Sequence, residues 1–292
     1  MAPRITIRPM KPEDAEAVYR TASTALFESP EDQETLRRRT PEEVENRTAR
    51  YGHLLRHDPE GAWVAEADGS VSGVALALVR ERVWVLSLFA VDAAHRNTGL
   101  GVQLLGRALA YAKGCKGAMI ASSQHPAAMR SYSRAGFDLH PTLSASGPVR
   151  RESIPAGLAV REGAEQDLEL AAEVDREVRG AAHGPDLERM LQTDCRLLVA
   201  EGPAGRGYVA EWNGSPAVLA ATRPKLARDL LWACLERTPP GEKADVDWIT
   251  GSQNWAVAVS LDAGLSLSPA GPICTRGDLG PLTPYLPSGP FL

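Results

Sequence analysis

The second half of this 292-residue chain repeats the first half in order, and that repetition limits the fold more than any single motif does. Leu158-Ala159-Val160-Arg161 followed by Gln166-Asp167 echoes Ile5-Thr6-Ile7-Arg8 followed by Glu13-Asp14. Val199-Ala200-Glu201 echoes Val64-Ala65-Glu66, and Ile249-Thr250-Gly251-Ser252-Gln253-Asn254 matches Ile120-Ala121-Ser122-Ser123-Gln124-His125. Each of the last pair is followed by a helical pattern and then by Ala263-Gly264-Leu265 or Ala135-Gly136-Phe137. Duplication explains this order better than chance, so two domains are expected, 1–150 and 155–292. The junction falls between Ser146 and Pro155, where Gly, Pro and charged residues cluster.

Within the first copy the periodicities alternate between strand and helix. Ile5 to Arg8 alternates like a half-buried strand, and Lys11-Pro12-Glu13-Asp14 opens a helix with Pro and carboxylates in its first turn. A charge-rich helical region runs to about His57. Ala62 to Glu66, the Asp68-Gly69 turn and Gly73 to Val79 form a hairpin pattern. Val83 to Val91 is a nearly unbroken apolar run, the mark of a central strand buried on both faces. A helix from Gly101 to about Ala112, a strand at Ala118 to Ala121 and a helix at Ala127 to Arg134 follow, and Phe137 begins a final pair of strands. Trp63, Trp84 and Phe137 are expected in the core. The tail from Pro269, rich in Pro and Gly, is expected to run extended along the surface.

Between the apolar run and the next helix stands Arg96-Asn97-Thr98-Gly99-Leu100-Gly101. Free amides at a helix N-terminus and the positive end of its dipole favour an anion. Gly99 and Gly101 let backbone approach phosphate oxygens, and Arg96 adds a fixed charge with a planar fork of donors. The nucleotide-hydrolase phosphate loop is excluded, because no Lys-Ser or Lys-Thr follows Gly101. A dinucleotide-binding loop fits poorly, because a third glycine is missing and several strands precede the loop.

Downstream lies His125-Pro126-Ala127-Ala128-Met129-Arg130-Ser131-Tyr132-Ser133-Arg134-Ala135-Gly136-Phe137. With the loop, this segment resembles the GCN5-related N-acetyltransferase (GNAT) superfamily, which pairs (Q/R)-x-x-G-x-(G/A) with N-x-x-A-x-x-x-Y-x-x-x-G-F. Ala128, Tyr132, Gly136 and Phe137 fall at the matching offsets, and His125 replaces the leading Asn. The resemblance covers about residues 4–145 and, more weakly, 158–268. It implies an α/β (α+β) fold of two tandem GNAT-like domains, each a mixed, mostly antiparallel sheet flanked by helices.

The resemblance further implies an N-acetyltransferase that moves the acetyl group of acetyl-CoA to a primary amine of a small molecule or peptide by direct attack. Backbone groups of Leu88, Phe89, Ala90 and Val91 would pair with the pantetheine arm and polarise the thioester carbonyl. Arg96, Asn97, Thr98, Gly99, Leu100, Gly101 and Val102 would hold the pyrophosphate through backbone amides. Tyr132 would protonate the departing thiolate and lie beside the cofactor, its alternative being a packed helix residue. His125 would either bond the cofactor or cap its helix. Several family members carry a Glu on the fourth strand, where the register here gives Val85, and Ser87 is the only polar side chain in the run. A water chain, Glu28, Asp32 or His125 is left to take the amine's proton. The missing carboxylate motivates the alternative of a non-catalytic acyl-CoA-binding sensor or regulatory module.

The second copy lacks the loop, since Ala220 to Arg228 contains no glycine, and Leu261 stands where Tyr132 does, although Asn254 keeps the family's Asn. A degenerate, structural copy is expected, with Arg223, Lys225 and Arg228 left as its only anion-binding residues there. The chain would be a monomer with an internal pseudo-dimer, or a homodimer. A net charge of −5 argues against a nucleic-acid partner, and Arg37-Arg38-Arg39, flanked by acids, reads as a solvated helix face. No apolar run reaches the ~18 residues of a membrane span. Cys115, Cys195, Cys234 and Cys274 form no CxxC pair, so no metal site is expected and a cytoplasmic location suits them.

Overall fold

The computed structural model describes residues 5–193, 195–203 and 205–292, apart from the side chains of Glu31 and Asp32. Contacts divide the chain into two compact units, Met1–Val79 with Trp84–Cys115, and Arg80–Val83 with Lys116–Leu292.

The first unit begins with β1 (Ile5–Pro9), then α1 (Ala15–Leu26), α2 (Pro30–Arg38) and α3 (Pro41–His57). A meander of β2 (Ala62–Ala67), β3 (Ser70–Arg80) and β4 (Val83–Val91) follows, and α4 (Leu100–Ala110) ends the unit. Its strands lie in the order β1-β2-β3-β4, with β1–β2 and β2–β3 antiparallel. The start of α3 is set by a reciprocal cap. Thr40 Oγ1 accepts from the Glu43 amide at 3.2 Å, and the Glu43 carboxylate accepts from the Thr40 amide at 2.6 Å. Buried Asp58 accepts from the Val79 amide at 2.9 Å and from the Tyr111 hydroxyl at 3.1 Å, fixing the end of β3 to the chain beyond α4. Trp84, fully buried as expected, donates from Nε1 to the Ala108 carbonyl at 3.1 Å and so seats α4 on β4.

The second unit contains β5 (Gly117–Ala121), α5 (Pro126–Arg134) and β6 (Asp138–Gly147), then β7 (Arg161–Glu162), α6 (Leu168–Val178) and α7 (Pro185–Leu191). β8 (Arg196–Gly202), β9 (Gly205–Trp212), β10 (Ser215–Ala221), α8 (Pro224–Leu235), β11 (Ala244–Thr250), α9 (Asn254–Asp262), β12 (Ser266–Gly277) and β13 (Tyr285–Leu286) complete it. One group of strands runs β5-β12-β6-β11 and another β13-β10-β9-β8-β7, antiparallel throughout the described pairings.

The repeat is visible bond for bond. Arg8 grips Asp14 through two guanidinium nitrogens at 2.7 and 2.9 Å, and Asp14 also accepts from the Lys11 amide at 2.7 Å. Arg161 grips Asp167 in the same way at 2.8 and 2.6 Å, and Asp167 accepts from the Ala164 amide at 2.8 Å. A bidentate pair plus one amide fixes the turn from the first strand into the first helix in each copy.

Two expectations are corrected here. The final pair of strands expected after Phe137 is one strand, β6, and its partner β12 arrives from the other end of the sequence. Ile273 to Gly277 of β12 pair with Ala121 to Gly117 of β5, and Ile273 to Thr275 pair on the other side with His140 to Asp138 of β6. Beyond a bulge, Ser266 to Ala270 pair with Ser146 to Thr142, and that half of β6 also pairs with β11. Each copy therefore lends its last strand to the other. The crossing is tight at Gly271, where a Cβ would lie 1.9 Å from the Ser122 carbonyl oxygen, so a side chain is sterically forbidden. The tail is likewise not a surface ribbon. β13 pairs with β10, and Tyr285, Leu286, Phe291 and Leu292 are buried, because the tail's backbone completes a sheet and its apolar groups close the core.

Among the described residues, no helix is long and apolar enough to cross a membrane.

Candidate active site

The burial of β4 changes along its length. Val83 to Leu86 are buried on both faces, but Ser87, Phe89 and Val91 are partly exposed while Leu88 and Ala90 stay buried. The expectation of a strand covered on both sides holds for its first half only. Successive side chains alternate, so Ser87, Phe89 and Val91 share one face, and that face opens toward the strand's end.

The chain then turns through a short helical turn at Ala93–His95, capped by Asp92, whose carboxylate accepts from the Ala94 amide at 2.8 Å. Thr98 Oγ1 donates to the His95 carbonyl at 2.7 Å and closes the loop on itself. Asn97 and Gly99 both have left-handed backbone, at φ 62° and 86°. Gly99 is the residue before α4, and the left-handed turn aims the first amides of that helix outward. The first intrahelical bond described runs from the Gln103 amide to the Gly99 carbonyl at 3.2 Å. Among the described residues, no backbone acceptor is paired with the amides of residues 97–102. Asn97, Thr98, Gly99 and Val102 are exposed, Gly101 is half-exposed, and only Leu100 is buried. Above Gly99 nothing lies within 4 Å, and a Cβ at Gly101 would meet only the Phe89 ring and Val91 at 3.6 and 3.7 Å. Open amides at a helix N-terminus with no side chain above them suit a bound anion. A cavity of about 600 Å³ adjoins the loop along α4, lined in part by Ile5, Ile7, Thr98, Gln103 and Arg107. That volume is within the range of small-molecule sites.

Arg96 serves this loop differently from the donor fork expected of it. Its Nε donates to the Val91 carbonyl at 3.2 Å, its Nη2 to the Ala25 carbonyl at 3.0 Å, and its Nη1 lies 2.5 Å from the Glu28 carboxylate. The guanidinium is turned inward and ties the end of β4 to the end of α1. Glu28, one of the candidate proton acceptors, is the partner in that pair. The side chain of Asp32 lies outside those described.

His125 and Tyr132 belong to the second unit. His125 precedes α5, and its Nδ1 accepts from the Ala127 amide at 3.2 Å, so it caps the helix. Pro126 follows at the first helical position, where its fixed φ suits the turn. Tyr132 is 4% exposed. Burial, and to a lesser extent the neighbouring Cys274 of β12, raise its pKa well above the ordinary phenol value. The Cys274 thiol is itself pushed up to about 12 by burial. Two residues further along β12, Arg276 donates to the Ala135 carbonyl at 2.8 Å and lies 4.8 Å from the centre of the Phe137 ring. Sequence reading missed both β12 residues, because their approach to α5 depends on the strand exchange.

At the matching point of the second copy, β10 runs through Thr222 and Arg223 straight into Pro224, the first residue of α8. Pro224 has no amide hydrogen and no left-handed residue precedes it, so the row of open amides that leads into α4 is interrupted at the start of α8. Lys225 is paired with Asp229 at 2.8 Å. Among the described residues, no group of His, Cys, Asp or Glu is arranged to hold a metal ion.

The sequence pattern of the acetyltransferase (GNAT) family matches residues 23–137, which include β4, the loop, α4 and α5. Through that segment the chain is similar to the GNAT superfamily. Its architecture is that of the tandem GNAT proteins. An acetyltransferase from Pyrococcus horikoshii, described as putative in its structure, superposes with a TM-score of 0.74 at 18% identity, covering 98% of this chain and 92% of that one. A GCN5-related N-acetyltransferase from Sphaerobacter thermophilus gives 0.60 at 17% identity, with 94% and 95% covered. A tandem GNAT protein from the clavulanic acid biosynthesis pathway gives 0.61 at 15% identity, with 94% and 98% covered. At these identities the likeness is one of fold, and it spans both halves. No curated protein sequence matches this chain.

Proposed function

We propose that this protein is an acetyl-CoA-dependent N-acetyltransferase acting on a primary amine, with its chemistry in residues 1–150 and a degenerate, structural copy in 155–292. The observation that carries the reading is the left-handed turn at Asn97 and Gly99, after which, among the described residues, the amides of residues 97–102 have no backbone acceptor. Amides of residues 97–102 would hold the pyrophosphate, since the Arg96 amide donates to the Ala93 carbonyl, and backbone groups of Leu88 to Val91 would pair with the pantetheine arm. Acetyl-CoA supplies the acyl group as a thioester, and a backbone N–H held at its carbonyl would stabilise the charge that develops on that oxygen. Tyr132 would return a proton to the thiolate. Its burial keeps it a neutral phenol at neutral pH, so the proton is present when needed. Because Glu28 is paired with Arg96, the amine's proton would pass to solvent along a chain of waters anchored on a backbone carbonyl.

A thermal-shift series with acetyl-CoA, followed by release of free thiol in the presence of a primary-amine panel, tests this reading. Mass action requires the melting temperature to rise with cofactor concentration. Absence of a shift at saturating cofactor, or an undiminished one when Gly99 and Gly101 are both replaced by Leu, rules out the loop as the cofactor site. Cofactor binding without thiol release across the panel favours an acyl-CoA sensor instead.

A further inference from the structure

β10 stands in the second copy where β4 stands in the first, each being the third strand of a meander that leads into a helix. Matched from their last residues, Val91 and Ala221, the stretch Leu88 to Val91 assigned above to the pantetheine arm corresponds to Val218 to Ala221. That stretch of β10 already has a partner. Leu219 and Ala220 are in antiparallel register with Leu286 and Tyr285 of β13, and the Ala221 amide donates to the Pro284 carbonyl at 3.2 Å. The segment that lies there is extended and presents amide groups at regular spacing along the strand edge.

A side chain holds the same segment from a second direction. Gln253, 1% exposed, donates from Nε2 to the Leu282 carbonyl at 2.7 Å, and its Oε1 accepts from the Tyr285 amide at 3.1 Å. One carboxamide thus bonds the backbone as a neighbouring strand would. Trp255 fixes its orientation by donating from Nε1 to Oε1 at 2.7 Å. At the matching place in the first copy, Gln124 is exposed and donates to the Pro269 carbonyl at 2.8 Å instead. α6 anchors the segment on either side of β13: the Leu282 amide donates to the Val178 carbonyl at 2.8 Å, and Arg179 Nη2 to the Phe291 carbonyl at 3.3 Å. Tyr285 and Leu286 are 2% and 1% exposed, so the groove is filled as well as paired. These groups define what fits it: an acceptor for the Ala221 amide, and an acceptor and a donor for Gln253. An extended chain of amide groups supplies that set, and an apolar filler does not.

We propose that the groove between β10 and Gln253 is a binding site for an extended, amide-bearing chain of the pantetheine type, and that residues 282–286 of the same chain fill it. The place that the acetyltransferase reading gives to the acyl-CoA arm in the first copy is taken in the second by the protein's own backbone. The likeness to acyl-CoA rests on that reading, whereas the groove itself rests on the bonds of β10 and Gln253 alone. Two features then close the second copy to cofactor. A phosphate meets an interrupted row of amides at the start of α8, and the arm meets a strand edge that is already paired. One acyl-CoA per chain follows.

The probe is S-acetylpantetheine, which has the arm and no phosphate, and the readout is hydrogen exchange by mass spectrometry on the full wild-type chain. Residues 282–286 exchange when the segment leaves its groove, and a ligand that binds the groove raises the share of that open state. Millimolar S-acetylpantetheine should therefore speed exchange across 282–286 by about threefold or more, and equally so when Gly99 and Gly101 are both replaced by Leu. In Gln253→Ala the segment should exchange faster without the probe, and the probe should add less, because the groove has lost one wall. Wild-type exchange that the probe leaves unchanged or slows overturns the proposal, whatever the variant does. Calorimetric titration with acetyl-CoA separates this result from the acetyltransferase reading. One equivalent per chain is expected in the wild type and none in the loop variant. An equivalent retained by the loop variant means that the second groove is open to cofactor, and overturns the proposal. Absence of acetyl-CoA binding in the wild type, with exchange across 282–286 still quickened by S-acetylpantetheine, overturns the acetyltransferase reading and leaves the groove standing.

Discussion

Arg276 and Ala135 are joined by a hydrogen bond of 2.8 Å across 141 residues of sequence, from a strand of the second copy to the end of the helix that carries Tyr132. The same guanidinium covers the Phe137 ring at 4.8 Å. It therefore fixes Ala135, which caps the end of α5, and Phe137 beyond it, as Cys274 approaches Tyr132 from the same strand. Arg276→Ala should cost about 1–3 kcal/mol, from a charge-assisted hydrogen bond and a partly buried cation–π contact. If the contact positions Tyr132, thiol-release assays should show kcat falling more than acetyl-CoA affinity, with partial recovery in Arg276→Lys. A loss of melting temperature with kcat unchanged would leave the contact a purely structural one.

Arg96 and Glu28 make a prediction of the opposite kind. Were the Arg96 guanidinium a direct phosphate ligand restrained by Glu28, Glu28→Gln would release it and tighten acetyl-CoA binding. The bonds to the Val91 and Ala25 carbonyls instead make it a strut under the loop. Glu28→Gln should leave affinity unchanged or weaken it by a few-fold, since a partly exposed pair contributes only about 0–1 kcal/mol. Arg96→Ala should weaken affinity more and also lower the melting temperature, because the loop loses its tie to α1. Calorimetric titration with acetyl-CoA measures both, and a tighter Glu28→Gln would refute the strut.

Much of this arrangement was legible in the residues. Val83 to Val91 are bounded as the apolar run predicts, and Asp68-Gly69 turns β2 into β3. The left-handed turn at Gly99 follows from a glycine ahead of a helix. What was hidden depends on contacts distant in sequence. The half-open face of β4 depends on what packs above it, which an apolar run does not reveal. The partner of β6 lies more than a hundred residues away, so no local pattern could announce the exchange. Gly271, the one residue whose side chain would strike Ser122, reads in the sequence only as part of a Pro-Gly tail.

Tyr132 predicts a separation of rate from binding. Tyr132→Phe removes only the hydroxyl, so acetyl-CoA affinity should stay within about twofold while turnover falls at least tenfold, in the general-acid range of about 10²–10⁴. Burial raises the phenol above its ordinary value of 10.0, so the group stays protonated through the alkaline range of a normal assay. The wild-type pH–rate profile should therefore show no fall assignable to this phenol below pH ~10. A descending limb near pH 9 that vanishes in Tyr132→Phe would contradict that placement.

Arg80 and Asp186 form a bidentate pair at 2.7 and 2.7 Å, 8% and 0% exposed, within the second unit. Removing one partner strands a charge in a low-dielectric interior. Asp186→Ala should cost about 3–5 kcal/mol, whereas Arg80→Met with Asp186→Leu should recover most of that loss. Denaturant titration of the two variants measures the difference, and equal losses in both would mean that the pair itself stabilises the fold.

Acid unfolding should report the repeated turn. Arg161 holds the Asp167 carboxyl down from an ordinary 3.8 to about 2, with help from the Ala164 amide, and Arg8 lowers Asp14 in the same direction. A carboxyl depressed in the folded state binds protons more readily when unfolded. Its stabilisation is therefore complete above the unfolded value and is lost as pH falls through the folded one. For Asp167 that window runs from about pH 4 to about pH 2. Asp167→Asn should destabilise the protein at pH 7, and its gap from the wild type should narrow steadily across the window. Because Arg161 is largely exposed, the effect at pH 7 should be small and should shrink further in high salt. Denaturant midpoints at pH 7 and pH 3, with and without added salt, measure it. A gap that stays constant between the two pH values would show that Asp167 acts through its shape alone.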